Sequence, residues 1–213
     1  MFDTGADFKI LAYNAAKLKV DLSKIRQVIL SHNHWDHTDG LWGLLENHPG
    51  ISVYLCPGSG KLLANKVRKN GGIPVAVKGW RKLQPGVFMT PEMRGLYKGK
   101  PMPERALVLS STKGLVIITG CAHIGAVDIL TTVEKRFPKE RIAVLLGGLH
   151  LKDMDAADIR KTVTTLQDCG VDKMMPCHCT GAKAFKIIDD SYIHKSRFVK
   201  AGSSIKIFIK GAL

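Results

Sequence analysis

The segment Ser31-His32-Asn33-His34-Trp35-Asp36-His37-Thr38-Asp39-Gly40 crowds three imidazoles and two carboxylates into eight residues. Imidazole and carboxylate are ligands that Zn²⁺, Mn²⁺ and Fe²⁺ accept. The segment directly follows Val28-Ile29-Leu30, an apolar run that reads as a strand opening into a loop. In extended backbone alternate side chains share one side, so His32 and His34 can grip one ion. Asp36 and His37 lie past the strand, where a turn aims them at a second ion. The spacing is that of a two-metal site. The competing reading is a polar turn whose histidines only cap and hydrogen-bond, since short motifs always carry false positives. The crowding favours metal.

The elements that position this loop must come from an ordinary globular chain. Its 213 residues suffice for one sizeable core and one domain, 1–213. Apolar residues make up 45% and charged residues 23%, as in typical soluble domains. No apolar run is long enough to span a bilayer. The start, Met1-Phe2-Asp3-Thr4-Gly5, lacks the basic and apolar regions of a signal peptide. Of five cysteines, Cys121, Cys177 and Cys179 sit near histidines, which favours reduced thiols and a cytoplasmic protein over a disulfide framework. The 32 Lys and Arg outweigh 18 Asp and Glu, for a net charge of +14. Such a field favours anionic partners, either phosphorylated small molecules or nucleic acid. Lys61, Lys66, Arg68, Lys69, Lys78, Arg81 and Lys82 crowd one segment, followed by Arg94, Lys98, Lys100 and Arg105. A solvated face and a phosphate-attracting rim both fit them.

Periodicity predicts alternating strands and helices. Phe8, Leu11, Ala15 and Leu18 mark one face of a first helix. Arg26–Leu30 reads as a buried strand, 41–47 as a helix, 51–55 as a strand and 61–70 as a helix. Between Gly79 and Pro103 four prolines interrupt the signal, so a loop around one short strand at 87–90 is expected. Residues 105–110 and 115–119 form a hairpin with its turn at Thr112-Lys113-Gly114. Helices follow at 126–137, 156–168 and 182–189, with strands at 141–146, 173–175 and 204–209. Alternation throughout gives an α/β class.

Three later histidines also stand at strand ends with glycine nearby: His123 in Gly120-Cys121-Ala122-His123, His150 in Gly147-Gly148-Leu149-His150, and His178 in Cys177-His178-Cys179-Thr180-Gly181. The full His-x-His-x-Asp-His run after an apolar strand, joined to these, resembles the metallo-β-lactamase superfamily. That resemblance implies a four-layer αββα sandwich of two mixed sheets with metals at one sheet edge. It implies His32, His34 and His123 on one metal, and Asp36, His37 and His178 on the other. His150 then serves as proton donor, extra ligand or outer partner. His48 and His194 read as surface residues. Asp3 stands where superfamily members carry a carboxylate that orients a ligand histidine. Many members bridge their metals with a late aspartate. Here the comparable place after Thr119 reads Gly120-Cys121, so Cys121 or a hydroxide bridges, or no bridge exists. Cys121 equally reads as a small buried apolar residue.

Phe2-Asp3-Thr4-Gly5, Leu30-Ser31-His32, Gly120-Cys121-Ala122-His123, Gly147-Gly148-Leu149-His150-Leu151 and His178-Cys179-Thr180-Gly181 resemble one branch of that superfamily. It comprises metal-dependent hydrolases and an archaeal dihydropterin synthase of methanopterin biosynthesis. Members begin with strands upstream of the Asp-Thr-Gly motif, and here Met1 stands almost on it, so a sandwich without those N-terminal strands is expected. Two divalent ions about 3.5–4 Å apart can hold a hydroxide nucleophile and polarise a substrate oxygen. Zn²⁺ suits the ligands best, with Mn²⁺ and Fe²⁺ open. The expected activity is a dinuclear hydrolase acting on a small anionic, phosphorylated substrate, with Asp36, His150 and Arg94 as catalytic residues. Arg94 is assigned to anion binding because the fold often places substrate contacts there. A synthase releasing pyrophosphate from a pterin diphosphate is the alternative. An RNase Z-like nuclease, suggested by the charge, and a non-catalytic remnant also stand.

Overall fold

Each element forms where apolar spacing and capping residues agree. Helix α1 (Phe8–Lys17) starts at Asp7, whose carboxylate accepts from the Ile10 amide, so one of the helix's orphan donors is satisfied. Strand β1 (Gln27–Ile29) follows, then the short helix α2 (Trp35–Thr38) and α3 (Gly40–Asn47). Strand β2 (Ser52–Leu55), helix α4 (Lys61–Lys69) and strand β3 (Ile73–Ala76) come next. Four short strands succeed them: β4 (Arg81–Gln84), β5 (Val87–Met89), β6 (Met93–Tyr97) and β7 (Lys100–Glu104). The hairpin β8 (Leu107–Ser111) and β9 (Gly114–Thr119) leads into α5 (Ala126–Arg136) and β10 (Ile142–Gly147). Helix α6 (Ala156–Asp168), strand β11 (Met174–Pro176) and helix α7 (Ala182–Ser191) complete the order. The computed structural model describes residues 1–211, which form two compact units. The first is Met1–Gly79 with Pro91–Arg105, and the second is Trp80–Thr90 with Ala106 onward.

In the first unit β1, β2 and β3 form a parallel sheet in that order, and β6 and β7 form a separate antiparallel ribbon. Leu41, Leu44 and Leu45 of α3 recur at helical spacing and meet Val28, Leu30, Val53 and Leu55 in one core. Each such fully buried leucine contributes roughly 1.5–3 kcal/mol relative to exposure. The N-terminal residues run beside β1, with a parallel bridge between Phe2 and Ile29. The Asp3 amide donates to the Ile29 carbonyl at 2.9 Å, which carries the Asp3 side chain to the carboxyl end of β1.

In the second unit six strands pair in the order β11-β10-β9-β8-β5-β4. Strands β9, β10 and β11 are mutually parallel, whereas β8, β5 and β4 run antiparallel. Leu115, Ile117, Leu145 and Met174 are buried, as are Ile129, Leu130 and Val133 of α5 and Ile159 and Val163 of α6.

The helices and the hairpin stand where periodicity predicts them, and α6 has the expected bounds. Two expectations are corrected. Residues 79–103 are not loop around one strand: β4, β5, β6 and β7 all lie there. Pro101 and Pro103 sit within β7, opposite Leu96 and Arg94. A two-stranded ribbon has two edges, and proline is tolerated where its missing N–H would point outward. The expected strand at 204–209 is also absent. Only Ile209 bridges, to Ser111, although the Phe208 carbonyl accepts from Thr112 at 2.9 Å. Ile205 and Ile207 instead line an open cleft with Val116, Val144 and Met175. No helix among the described residues is long and apolar enough to cross a membrane.

Candidate metal centre

Strand β1 ends at Ile29, and the chain turns through Ser31 into His32 and His34 before α2 begins at Trp35. His32 is 1% exposed and His37 7%, so their imidazoles are held in protein and not in water. The His32 Nε2 and His34 Nδ1 atoms lie 3.0 Å apart. Two nitrogens at that separation can share an ion at the usual 2.0–2.1 Å zinc–nitrogen distance. The rings of His32 and His37 stand 4.2 Å apart between centroids. Asp36 Oδ2 is 3.8 Å from His37 Nε2. The other carboxylate, Asp39, accepts instead from Trp42 Nε1 at 3.0 Å.

Asp3 organises these imidazoles. Its Oδ1 accepts from the Ser31 amide at 2.7 Å, and its Oδ2 accepts from the Ser31 hydroxyl at 2.7 Å. The same Oδ2 is 2.7 Å from His37 Nδ1. A carboxylate only accepts, so His37 must carry its proton on Nδ1. The Ser31 hydroxyl spends its proton on Asp3 and therefore accepts from His32 Nδ1, 2.8 Å away. One carboxylate thus leaves both Nε2 atoms with a lone pair, which is what a metal requires. Asp3 itself adopts φ +52°, a left-handed conformation that Asp and Asn visit more readily than most residues. Asp3→Asn is compatible with that backbone but places an NH₂ against His37 Nδ1, driving its proton to Nε2. Metal affinity is expected to fall about 10–100-fold, as for other lost outer partners. A competition titration with a chromogenic chelator measures it; unchanged affinity would remove Asp3 from this role.

The ribbon β6–β7 supplies residues that sequence reading passed over. Met93 faces Glu104 and Tyr97 faces Lys100 across the ribbon, so Tyr97 and Glu104 share a face. Glu104 Oε1 is 3.7 Å from His32 Nδ1, with both side chains wholly buried. Tyr97 meets the His34 ring edge-on at 4.5 Å. Arg94 alternates to the opposite face and is exposed, so the ribbon does not turn it toward His32 and His34. Arg105 departs further from the basic-rim reading: it is 0% exposed. Its guanidinium donates to the Leu55 carbonyl at 3.1 Å and the Val77 carbonyl at 2.6 Å. Its amide donates to the Ser31 carbonyl at 2.9 Å. His194 is exposed and His48 half-buried.

In the second unit the three parallel strands bring their carboxyl ends together, Thr119 beside Gly147 and Gly147 beside Pro176. The loops that leave those ends carry Cys121 and His123, His150, and His178 and Cys179. The rings of His123 and His150 lie 4.3 Å apart. Donor atoms of Cys121, His123 and His150 fall within 4.8 Å of one another, and so do those of Cys121, His178 and Cys179. Ala122, His150 and His178 all take positive φ, near +60°, +53° and +52°. Non-glycine residues in that region concentrate at functional sites because packing must hold them there. The hydrogen bond with the Cys121 side chain lowers the Cys179 thiol to about 5, against burial; His150 and His178 add to the lowering. Burial instead pushes Cys177 up to about 11, with Cys179 adding to the rise. No disulfide joins the cysteines. Imidazole, carboxylate and thiol donors of this kind fit Zn²⁺, and imidazole and carboxylate also fit Fe²⁺ or Mn²⁺.

A family model described as the beta-lactamase superfamily domain matches residues 1–179. The chain is 29% identical to 7,8-dihydropterin-6-methyl-4-(β-D-ribofuranosyl)-aminobenzene-5'-phosphate synthase of Methanocaldococcus jannaschii, over 97% of this chain and 83% of that protein. Among solved structures it resembles Tm1679, a metal-dependent hydrolase of the beta-lactamase superfamily. The TM-score is 0.82 and the identity 26%, with 97% of this chain and 88% of that one covered. The metallo-beta-lactamase fold protein YhfI of Bacillus subtilis shares the fold alone, at TM-score 0.66 and 13% identity, covering 94% of this chain and 84% of that one. With its His-rich loop at the end of β1 and its mixed α/β architecture, the chain belongs to the beta-lactamase superfamily and has the metallo-β-lactamase fold.

Proposed function

We propose that the protein is a metal-dependent hydrolase of a small anionic, phosphorylated substrate. Its divalent ions, Zn²⁺ foremost, would be held by His32, His34, Asp36, His37, His123 and His178. The observation that carries this reading is the Asp3 network, which fixes two imidazoles in the metal-binding tautomer. Bound there, divalent ions supply Lewis acidity to a phosphoryl or carbonyl oxygen. The chain's own groups do the rest. Asp3 and Ser31 orient His37 and His32, Glu104 adds negative charge beside His32, and His150 serves as the proton donor to the leaving group. The net charge of +14 raises the local concentration of anionic substrate. Arg94, exposed on the far face of the ribbon, adds to that field.

A second reading is favoured by the Methanocaldococcus jannaschii relative. The same ions would assist departure of pyrophosphate while a dihydropterin-methyl group joins a ribofuranosyl-aminobenzene 5'-phosphate. Metal-loaded protein should be offered a panel of phosphoesters and, separately, a dihydropterin diphosphate with that acceptor. Phosphate release that stops on chelation supports the hydrolase. Pyrophosphate release only when both partners are present supports the synthase. Neither product with Zn²⁺, Mn²⁺ or Fe²⁺ defeats both.

A further inference from the structure

The sheet of the second unit has one face fully covered and one left partly open. Leu115, Ile117, Leu145 and Met174 point to the covered side and are each at most 1% exposed. Val116, Val144 and Met175 alternate to the other side, with Val144 in register beside Val116 and Met175 beside Leu146. Val144 and Met175 are only half-buried. Apolar surface left in water forgoes about 25 cal/mol per Å². Residues 205–208 run over this side and, with these side chains, bound a cleft of about 580 Å³.

The crossing segment is fastened on either side and free between. The Val199 amide donates to the Pro176 carbonyl at 3.0 Å, and the Lys210 amide to the Ser110 carbonyl at 2.8 Å. Residues 204–207 take part in no backbone-to-backbone hydrogen bond among the described residues. Ile205 and Ile207 are half-buried while Lys206 and Phe208 are exposed, so the segment lends apolar side chains without closing the space. The rim is cationic. Lys113 comes from the turn between β8 and β9, Arg141 and Lys173 from just before β10 and β11, and Lys206 from the crossing segment. Among the described residues that line the cleft, Asp172 alone is a carboxylate. Arg141 at 2.7 Å and Lys195 at 3.2 Å already engage it. Three lysines from three elements are left to face whatever enters.

We propose that this cleft binds a small amphiphilic anion, an apolar body ending in one carboxylate or phosphate. The body lies on Val116, Val144 and Met175 beside Ile205 and Ile207, and the head group sits among Lys113, Lys173 and Lys206. Small-molecule sites usually have about 300–1,000 Å³, mostly apolar walls and a few placed polar groups. Solvated lysines alone would leave the open apolar face unexplained, and loose packing alone would leave the converging lysines unexplained. An amphiphilic anion uses both. The cleft occupies the amino ends of β9, β10 and β11, whereas His123, His150 and His178 follow their carboxyl ends. It shares no residue with the proposed metal ligands, so it stands or falls independently of the hydrolase reading.

Displacement of anilinonaphthalene sulfonate, an aromatic anion whose fluorescence rises in apolar sites, tests this on the whole protein. Decanoate or decyl phosphate should displace the dye along a one-site curve, and comparison of the two identifies the preferred head group. Decanol, which lacks the charge, and inorganic phosphate, which lacks the body, should each compete at least about ten-fold less well. Ile207→Glu sets a carboxylate in the cleft without altering the sheet and should weaken decanoate by about ten-fold. Lysine acetylation mapped by mass spectrometry on the wild type avoids any folding defect in the variant. Decanoate should shield Lys113, Lys173 and Lys206 and leave Lys61 reactive. Decanol as effective as decanoate removes the cationic rim from recognition, and inorganic phosphate as effective removes the apolar floor; either overturns the proposal. So does an acetylation pattern that decanoate leaves unchanged.

Discussion

Asp36→Ala is expected to strip the protein of bound metal and lower turnover by more than the 10–100-fold that loss of an outer partner costs. The loop carries two carboxylates with separate tasks. Asp39 is engaged by the Trp42 indole at 3.0 Å, whereas Asp36 lies 3.8 Å from His37 Nε2. Only the second shares its surroundings with imidazole lone pairs. Its side chain is 29% exposed, so alanine there leaves no buried cavity and the variant should fold. Asp39→Asn is the matched control, expected to keep both metal and turnover. Metal content by elemental analysis and turnover of the same samples decide the matter. An Asp36→Ala protein with full activity would remove that carboxylate from the centre.

Arg105→Met should cost of order 3–5 kcal/mol of stability, the range for breaking a buried charge arrangement. The guanidinium donates to two backbone carbonyls, at Leu55 and Val77. It also lies 3.3 Å through Nε from Cys56 Sγ, where Glu92 and Glu104 act on the same thiol. Removing the cation leaves carbonyls short of donors, at about 1–3 kcal/mol for each group left unsatisfied. Arg105→Lys keeps the charge but not the planar fork, and should recover only part of the loss. Urea denaturation gives the comparison. A Met variant within 1 kcal/mol of wild type, on the order of ordinary surface substitutions, would show that the buried cation has no such role.

The His-rich loop was readable because its chemistry is local: every donor lies within a few residues of the end of one apolar strand. Helices such as α3 and α6 were readable for the same reason, their Leu41-Leu44-Leu45 and Ile159-Val163-Leu166 faces repeating at helical spacing. The ribbon β6–β7 was not, because its prolines break the local pattern and only pairing across the ribbon makes a strand of Lys100–Glu104. Arg105 looked like one more surface cation. Its burial depends on carbonyls 50 and 28 residues away, which no local pattern announces. Glu104 escaped notice for the same reason. Cys179 stood beside a recognised histidine, yet its convergence with Cys121 arises from the parallel register of β9, β10 and β11. The tail at 204–209 alternates as a strand does but finds a partner only at Ile209.

The proposed activity depends on divalent metal held by the chain's histidines. Its most direct test is elemental analysis of protein purified without added metal, paired with phosphoester turnover before and after chelation. Metal should co-purify, turnover should vanish with a chelator, and Zn²⁺, Mn²⁺ or Fe²⁺ should restore it. Metal-free protein whose turnover is indifferent to chelator and to added ions would contradict the account.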